Sequence, residues 1–437
     1  MRKPELLSPA GTLKNMDYAF AYGADAVYAG QPRYSLRVRN NEFNLERLGQ
    51  GIGRAHELGR KLYVVSNIQP HNAKVRTFLN DMAPVMELQP DALIMSDPGL
   101  IMLVRRHFPD MAIHLSVQAN AINYASVQFW ADQGIERVIL SRELSLDEIE
   151  EIRQRCPDTE LEVFVHGALC MAHSGRCLLS GYMNRRDPNQ GTCTNACRWQ
   201  YQAREAVEDE TGDLVQKPTD RLFLLEENSR PGEAMAAEED EHGTYIMNSK
   251  DLRAVQHVER LSRMGVHSLK IEGRTKSFYY CARTAQIYRK AIDDAAAGRP
   301  FDIGLMSQLE NLANRGYTEG FLRRHVHDQY QNYLQGSSFS DRQQFVGEVL
   351  GRCEQTGMAL VDVKNRFELG DGLELMTPGG NLHFRLEQLE NRRHEQIDVA
   401  PGNGHQVYVP VPAGLDLDHA LLMRNLHNGD HALAKPV

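Results

Sequence analysis

Short apolar segments alternate with longer stretches of helical periodicity through most of the chain before residue 300. Each segment ends in polar residues or glycine, as buried strands commonly do. The predicted strands cover Glu5–Ser8, Ala26–Ala29, Lys61–Ser66, Ala92–Ser96, Ile113–Val117, Arg137–Ser141, Glu162–Val165 and Ser268–Glu272. Strands that alternate with helices indicate a parallel sheet, and eight such units favour an α/β fold of the closed (β/α)8 TIM-like barrel type over a doubly wound open sheet.

The helical patterns that separate these segments are well defined. They cover Leu13–Tyr22, Leu45–Leu58, Val75–Met86, Pro98–His107, Tyr124–Gln133 and Leu146–Arg155, and a longer helix is predicted over Ser277–Ala297. Ser145 and Glu148 are spaced as a capping box, in which each side chain accepts a hydrogen bond from the other residue's backbone N–H. The barrel and its connecting helices are therefore expected to occupy residues 1–335.

Polar side chains cluster where the predicted strands end. In a barrel of this type the loops after the strands form the active face, so these side chains are expected to converge. We assign substrate binding to Asn67, His71, Gln118, Asn120 and Arg142, and catalysis to His166, Glu272 and Arg274. Local capping is the competing explanation for any single His or Asn, and Glu272 with Arg274 could instead form a salt bridge that closes the barrel.

Four of the seven cysteines follow the seventh predicted strand: Cys170, Cys177, Cys193 and Cys197. Six, fifteen and three residues separate them in turn, so two pairs are joined by a loop long enough to fold back around one metal centre. Structural zinc sites usually pair cysteines more closely than the first two are spaced, whereas an iron–sulfur cluster tolerates wider spacing. The spacing favours a cluster, with zinc, free thiols and a disulfide as alternatives.

Composition places the chain among globular proteins, with 42% hydrophobic and 24% charged residues. The start, Met1-Arg-Lys-Pro-Glu-Leu-Leu, lacks the apolar segment of a secretory signal, and we find no apolar stretch long enough to span a membrane. We therefore expect a cytoplasmic protein, in which reduced thiols are free to bind metal.

The net charge of −9 is unevenly distributed. Residues 205–241 contain thirteen acidic and three basic residues, so this segment carries −10 and the rest of the chain +1. We interpret the acidic segment as a partly ordered insertion. Basic clusters in the nearly neutral remainder, such as Arg33 with Arg37 and Arg39, could bind the backbone of a structured RNA, although ordinary solvated arginines are the better explanation of any one cluster taken alone.

From about Phe345 the pattern changes to short strands without helices. The predicted strands are Phe345–Val349, Met358–Val363, Gly372–Met376, Leu382–Phe384 and Gln406–Val411. Pro378-Gly-Gly-Asn381 is a strong turn sequence between two of them. Residues 341–437 are therefore predicted to form a small antiparallel β-barrel domain, which could bind RNA or pack against the larger domain. Of the other cysteines, Cys281 is interpreted as buried in a helix and Cys353 as lying near a turn.

Several blocks of the sequence resemble one known family. They are Glu5-Leu-Leu-Ser-Pro-Ala-Gly11, Glu162-x-Phe-x-x-Gly-Ala-Leu-Cys170 with Gly175-x-Cys-x-x-Ser180, Gly191-x-Cys-x-x-x-Cys-Arg198 and Ser268-Leu-Lys-Ile-Glu-Gly-Arg274. On these residues the chain is identified as similar to peptidase family U32, and it looks most like the tRNA-modifying branch of that family. The resemblance implies an iron–sulfur centre, most simply a 4Fe-4S cluster, on Cys170, Cys177, Cys193 and Cys197, with Cys281 as a minor candidate.

The same resemblance implies an activity: prephenate-dependent 5-hydroxylation of the wobble uridine in the tRNA anticodon loop, the first step toward 5-carboxymethoxyuridine, with an electron donor as a further partner. Prephenate is a dicarboxylate, so cations at the barrel mouth are expected to hold it. Our candidates are Arg37, Arg39, Arg142, Lys250 and Arg274.

Three alternatives to this activity stay open. One is a collagenase-like peptidase, in which His166 or His173 would pair with the Cys170 thiolate. Another is a non-catalytic scaffold that delivers RNA or redox equivalents to an enzyme. The third is hydroxylation of another substrate, either rRNA or a quinone precursor, as in other branches of the family.

Overall fold

The computed structural model describes residues 2–31, 33–36, 41–169, 173, 250–314, 316–323 and 342–426, together with the backbone of five short strands between residues 205 and 245. Arg37, Arg39, Cys170, Cys177, Cys193 and Cys197 lie outside these residues. Among the described residues, no helix is both long and apolar enough to cross a lipid bilayer.

Eight parallel strands close into a barrel. The first seven are β1 (Glu5–Pro9), β2 (Ala26–Gly30), β3 (Lys61–Ser66), β4 (Ala92–Met95), β5 (Ile113–Leu115), β6 (Arg137–Ile139) and β7 (Glu160–Ala168). The strand that closes the barrel is Ser268–Ile271, which is β14 when strands are counted over the described residues, and it pairs in parallel with both β1 and β7. Because no edge is left between β1 and β7, the predicted closed barrel is confirmed and the open sheet is excluded.

Ten α-helices belong to the barrel part of the chain. They are α1 (Leu13–Ala21), α2 (Leu45–Glu57), α3 (Asn72–Val75), α4 (Phe78–Glu87), α5 (Pro98–His107), α6 (Tyr124–Asp132), α7 (Leu146–Arg155), α8 (Val258–Arg263), α9 (Phe278–Ala296) and α10 (Gly304–Glu310), counted over the residues that the structure describes. The predicted capping box of α7 is confirmed, since Ser145 and Glu148 each accept the other's N–H. The helix predicted over Val75–Met86 is instead divided into α3 and α4.

Further strands lie between β7 and β14 and just after α10. The acidic segment contains β8 (Glu205–Glu208), β9 (Leu214–Lys217), β10 (Phe223–Glu226) and β11 (Ala234–Asp240), and β12 (Gly243–Tyr245) and β13 (Asp251–Arg253) follow it; the strand after α10 is β15 (Tyr317–Thr318). β13 runs antiparallel to His166–Ala168 and parallel to β15. These two short strands therefore extend the sheet outward from the carboxyl end of β7.

The last part of the chain forms an antiparallel sheet. Its strands are β16 (Gln343–Arg352), β17 (Ala359–Val363), β18 (Phe367–Glu368), β19 (Gly372–Thr377), β20 (Gly380–Arg385), β21 (Glu390–Asn391), β22 (Val399–Ala400), β23 (Gln406–Val409) and β24 (Leu421–Asn425). Seven of them are ordered β20-β19-β24-β16-β17-β23-β21, and β18 pairs with β22. The antiparallel C-terminal domain is thus confirmed, although its central strand β24 was not predicted.

Charged side chains fill the barrel interior toward the amino ends of the strands. Arg137 lies 2.6 Å from Glu5, 2.7 Å from Glu160 and 3.3 Å from Glu162. Lys270 lies 2.8 Å from the other carboxylate oxygen of Glu162, and both side chains are at most 4% exposed. We call these five residues the basal charge cluster. Its acids and bases alternate, so each buried charge has an opposite neighbour.

A second buried ion pair joins the two domains. Arg283 of α9 donates two hydrogen bonds of 2.9 Å to the carboxylate of Glu374 on β19, and neither side chain is more than 3% exposed. Nearby, the rings of Tyr279 and Phe345 stack with their centroids 5.2 Å apart. The hydroxyl of Tyr22 donates to the backbone carbonyl of Met376 at 3.1 Å. The C-terminal sheet is therefore packed directly against the helices of the barrel.

Candidate functional site: the barrel mouth

Three cations surround two aromatic rings beneath the carboxyl ends of the barrel strands. The ammonium of Lys270 lies 4.5 Å from the ring centroid of Tyr28 and 5.4 Å from that of Phe164. The guanidinium of Arg142 lies 3.9 Å from the Phe164 centroid, and that of Arg274 lies 5.9 Å from the Tyr28 centroid. We call these five residues the cationic side of the mouth. Cations over ring faces are attracted by the ring quadrupole, which helps to fix their positions.

The individual cations are held by different partners. Burial lowers the pKa of Lys270, and the carboxylate of Glu162 at 2.8 Å opposes this effect only in part. Arg274 is 7% exposed and donates to the Ser35 hydroxyl at 2.6 Å. Arg142 donates from Nη1 to the carbonyl of Ala168, and its Nε makes no hydrogen bond with any described residue. The Nε–H of Arg142 is therefore a donor that no described residue uses.

Gly30, at the end of β2, makes room for Arg274. A Cβ atom at Gly30 would lie only 2.0 Å from Nη1 of Arg274 and 2.7 Å from Oγ of Ser35. Since a real Cβ contact is never that short, any larger residue must displace the guanidinium. The glycine is thus required by the position of the arginine rather than by its own backbone.

Gly30→Ala is expected to reduce the activity of the protein by at least about tenfold, because displacing a charged hydrogen-bonding group costs about 1.5 to 3 kcal/mol. The melting temperature should fall moderately, since the end of the Arg274 side chain can shift but the buried Oγ of Ser35 must move as well. Gly53→Ala is the matched control, because a Cβ at Gly53 meets nothing within 4 Å. Equal activity of the two variants would show that the position of Arg274 is unimportant.

The opposite side of the mouth carries amides and hydroxyls. Asn67, which follows β3, is 6% exposed and donates from Nδ2 to Oγ of Ser116 at 3.2 Å and to Oε1 of Gln118 at 3.1 Å. The Ser116 hydroxyl also donates to Oε1 of Gln118. Ser96 donates to the backbone carbonyl of Asn67 at 3.0 Å. We call these four residues the amide side of the mouth.

Two consecutive residues of the loop after β2 connect these sides. Ser35 accepts from Arg274 on the cationic side, and the backbone N–H of Leu36 donates to Oδ1 of Asn67 at 3.2 Å. Since the two contacts are made by neighbouring residues, the cationic and amide sides lie next to each other. The structure therefore brings Asn67, Gln118 and Arg274 together, as the strand ends predicted.

His166 lies in a different environment from the other candidates. It is 1% exposed, and its ring centroid lies 5.5 to 5.8 Å from those of Tyr280, Tyr288 and Tyr317. Burial lowers the pKa of His166 to about 3, and nearby cationic side chains add to the effect. The imidazole is therefore neutral at physiological pH, and its catalytic role stays a prediction.

Glu272 lies where β7 and β14 close the barrel. Its backbone N–H donates to the carbonyl of His166 at 2.9 Å, and its own carbonyl accepts from the Tyr280 hydroxyl at 2.6 Å. Gly167 has φ +106, and a Cβ there would lie 2.5 Å from the Glu272 carbonyl oxygen. The backbone of Glu272 is thus part of the barrel seam, while the catalytic role of its half-buried side chain stays a prediction.

The remaining candidates occupy the periphery of the mouth. His71 is exposed at the start of α3, and Lys250 is half-buried immediately before β13. Asn120 adopts a left-handed backbone conformation (φ 53) and donates from its side chain to the backbone carbonyl of Gln118 at 2.9 Å. The structure gives Asn120 a turn-closing contact, which is the local role that competed with substrate binding.

Two described residues lie close to the predicted cysteine ligands in the sequence: Leu169 directly precedes Cys170, and His173 lies between Cys170 and Cys177. Leu169, which follows β7, is 7% exposed, and Nδ1 of His173 lies 3.5 Å from a carboxylate oxygen of Glu143 after β6. Cys281, by contrast, is fully buried in α9, where its thiol donates to the Pro9 carbonyl at 3.4 Å. Burial raises the pKa of Cys281 to about 12, so this sulfur is held as a neutral thiol.

Residues 11–332 match peptidase family U32, and residues 341–424 match the C-terminal domain of that family. The chain belongs to peptidase family U32. Within it, the chain is 69% identical to "tRNA hydroxylation protein P" of Escherichia coli (strain K12), with 97% of each chain covered. It is 66% identical to the protein of the same name from Haemophilus influenzae (strain ATCC 51907 / DSM 11121 / KW20 / Rd), over 98% of this chain and 97% of that one.

A more distant U32 relative has a different printed substrate. The "23S rRNA 5-hydroxycytidine C2501 synthase" of Escherichia coli (strain K12) is 29% identical over 99% of this chain and 61% of its own length.

Sequence reasoning missed much of the cationic side. Lys270, Tyr28 and Phe164 all lie in predicted strands, but none of them is among the predicted site residues. Inward-facing positions alternate along a strand, so Lys270 shares a face of β14 with Ser268. The signal for a site residue is a lysine at an inward position of a predicted buried strand, because buried lysines are rare unless they are paired.

Proposed function

We propose that this U32 protein hydroxylates C5 of the wobble uridine of tRNA and uses prephenate as co-substrate. The observation that carries the proposal is the cationic side of the mouth, where Arg142, Lys270 and Arg274 surround two aromatic rings. The names of the relatives that are 69% and 66% identical support a tRNA substrate.

Prephenate carries two carboxylates, and the cationic side offers cations that can pair with them. Arginine forks match carboxylates bidentately, which suits Arg142 and Arg274. Arg37, Arg39 and Lys250 remain candidates for further contacts with the dianion or with tRNA phosphates.

The wobble base is accessible to such a mouth because an anticodon loop is single-stranded. Turning an unpaired base out of its stack costs only a few kcal/mol, and the displaced base can then be read by hydrogen bonds to its edge. Asn67, Ser116 and Gln118 provide donors and acceptors of the required type. We therefore place the base on the amide side and prephenate on the cationic side.

Four thiolates, from Cys170, Cys177, Cys193 and Cys197, match the ligand number of a 4Fe-4S cluster. When bound, such a cluster supplies one-electron redox chemistry, with electrons from a donor protein or small molecule. Anaerobic purification followed by iron and sulfide analysis tests this assignment: we expect both elements, whereas stoichiometric zinc without sulfide would contradict it.

The hydroxylation itself is tested by mass spectrometry of tRNA nucleosides from a strain that lacks the protein. We expect 5-hydroxyuridine and its derivatives to be lost and to return when the wild-type protein is restored. Cys193→Ala should not restore them. An unchanged nucleoside profile in the deletion strain would refute the proposed function.

Proteolysis is less well supported by the site. A cysteine protease needs a histidine that can accept the proton of the thiol, but His166 is buried and its pKa of about 3 makes it a poor base. His173 is largely exposed and faces Glu143. Cleavage of casein or gelatin by purified protein that contains no cluster would favour the peptidase alternative.

Arg274→Lys is expected to lower 5-hydroxyuridine formation by about 10- to 100-fold, because lysine keeps the charge but loses the planar fork and the hydrogen bond to Ser35. Arg260→Lys is the matched control, since that guanidinium is 43% exposed and pairs with carboxylates on the outside of the barrel. Both variants are compared by nucleoside analysis of a complemented deletion strain. Full modification by Arg274→Lys would remove the arginine from the site.

A further inference from the structure

One backbone N–H sets the orientation of two side-chain amides on the amide side of the mouth. The N–H of Leu36 can only donate, so the Asn67 atom that it contacts at 3.2 Å must be the carbonyl oxygen. The other end of the Asn67 amide is then NH2, which donates to Gln118 at 3.1 Å. The Gln118 atom at that contact must in turn be the carbonyl oxygen. Amide orientations, which are usually ambiguous, are here determined by the chain of donors.

This arrangement leaves the amide nitrogen of Gln118 without a hydrogen-bond partner among the described residues. Its carbonyl oxygen is occupied twice, by Asn67 and by the Ser116 hydroxyl. Among the described residues its Nε2 has no hydrogen-bond partner, since the contacts of Gln118 use Oε1 and the backbone carbonyl, and the side chain is only half-buried. Because Asn67 and Ser116 are 6% and 3% exposed, the amide cannot rotate without breaking two buried hydrogen bonds. Gln118 therefore presents a donor of fixed direction at the carboxyl end of β5.

A fixed donor distinguishes uracil from cytosine. At position 4 uracil carries a carbonyl oxygen, which accepts a hydrogen bond, whereas cytosine carries an amino group, which donates. The NH2 of Gln118 would donate to O4 of uracil. In cytosine it would instead face the amino group, which is also a donor. A site built around a buried polar partner rejects the wrong group strongly, because that partner is then left unpaired.

We propose that Gln118 selects uracil over cytosine by donating from Nε2 to O4 of the target base, and that Asn67 is the positioning residue that orients its amide. This inference rests on the proposed function, which supplies a pyrimidine in the mouth. It adds the residue that decides which pyrimidine is accepted. Arg274, which reaches the same loop through Ser35, places the second substrate beside the base.

The test measures the affinity of the full-length protein for two synthetic anticodon stem-loops that differ only in U or C at the wobble position. We expect the wild-type protein to prefer U by about tenfold or more. Gln118→Glu should abolish or reverse this preference, because a carboxylate oxygen accepts from the cytosine amino group and repels O4. Gln118→Met, which has a similar length and no donor, should bring the ratio of the two affinities close to one.

Asn67→Asp tests whether the preference for U depends on the orientation of the Gln118 amide and not only on its presence. The aspartate can still accept from Leu36 but cannot donate to Gln118, so the Gln118 amide is expected to turn its NH2 toward the carboxylate and its oxygen toward the base. The U preference should fall as in Gln118→Glu although residue 118 is unchanged. Gln133→Glu, on the exposed end of α6, controls for the added negative charge and should keep the wild-type ratio.

The possible failures are distinguishable. A wild-type protein without U preference, or variants at Gln118 and Asn67 that retain the wild-type ratio, would overturn the role of Gln118. Either result leaves the proposed function intact if the wild-type protein restores 5-hydroxyuridine to the deletion strain. If it restores none, the proposed function fails independently of the binding ratio. Melting temperatures and iron contents equal to wild type confirm that each variant is folded, and Asn67→Asp remains informative if Gln118→Glu is not.

Discussion

Glu162→Gln is expected to lower the free energy of unfolding by about 3 to 5 kcal/mol, the usual cost of removing one partner from a buried ion pair. Glu162 is fully buried and lies 2.8 Å from Lys270 and 3.3 Å from Arg137. Without its charge, the ammonium of Lys270 has no carboxylate among its described contacts. Activity should fall as well, because the same ammonium forms part of the cationic side of the mouth.

Glu160→Gln provides the matched control for this prediction. Glu160 pairs with the same arginine, Arg137, at 2.7 Å, but its side chain is 36% exposed. Because the Glu160 carboxylate is partly solvated, its loss should cost clearly less than that of Glu162, and the control should unfold at a urea concentration closer to that of wild type. Urea denaturation at neutral pH measures both variants. Similar losses in the two would mean that burial of Glu162 does not determine the energetics of the basal charge cluster.

The barrel was predictable because its strands and helices are encoded locally. Each strand, such as Ala26–Gly30, is a short apolar segment with a polar or glycine end, and the helices after them have side-chain caps such as Ser145. These patterns depend on neighbours within a few residues, which sequence periodicity captures. The closure of the barrel by β14 followed from counting eight such units.

The contacts inside the mouth were less predictable because they join distant parts of the chain. Asn67 and Gln118 were selected individually, but the hydrogen bond that orients them spans 51 residues, and the contact of Arg274 with Ser35 spans 239. The space at Gly30 depends on the same arginine. β24 was missed for a related reason: it is as long as the predicted β17, but only its pairing with the distant strands β19 and β16 makes it part of the core.

Arg283→Met is the second substitution for which we expect a large effect, again a loss of about 3 to 5 kcal/mol. It would leave the carboxylate of Glu374 buried at the boundary between the domains, with only neutral donors such as Gln343 and Asn381. The double variant Arg283→Met/Glu374→Leu should recover most of the loss, since buried ion pairs can be replaced by apolar side chains of similar volume at little cost.

The contribution of this ion pair should depend on pH in a defined direction. Burial alone would raise the pKa of Glu374, but the charge of Arg283 and hydrogen bonds from Arg283 and Gln343 outweigh it and hold the pKa below its ordinary value of 4.5. For a carboxyl with a lowered pKa, the stabilisation is complete above the unfolded-state value and is lost as the pH falls through the folded-state value. The difference between wild type and Arg283→Met should therefore be constant near pH 7 and shrink below about pH 4.

Lys14→Met tests why Arg283→Met loses stability. The loss could come from burial of the Arg283–Glu374 ion pair, or it could follow from any change at the domain boundary. Lys14 of α1 pairs with Glu348 of β16 across the same boundary, but its side chain is 45% exposed. Its loss should cost about 1 kcal/mol or less. If Lys14→Met and Arg283→Met destabilise equally, the boundary is held by distributed contacts. If only Arg283→Met is severe and the double variant recovers, a single desolvated ion pair determines how firmly the C-terminal sheet is attached to the barrel.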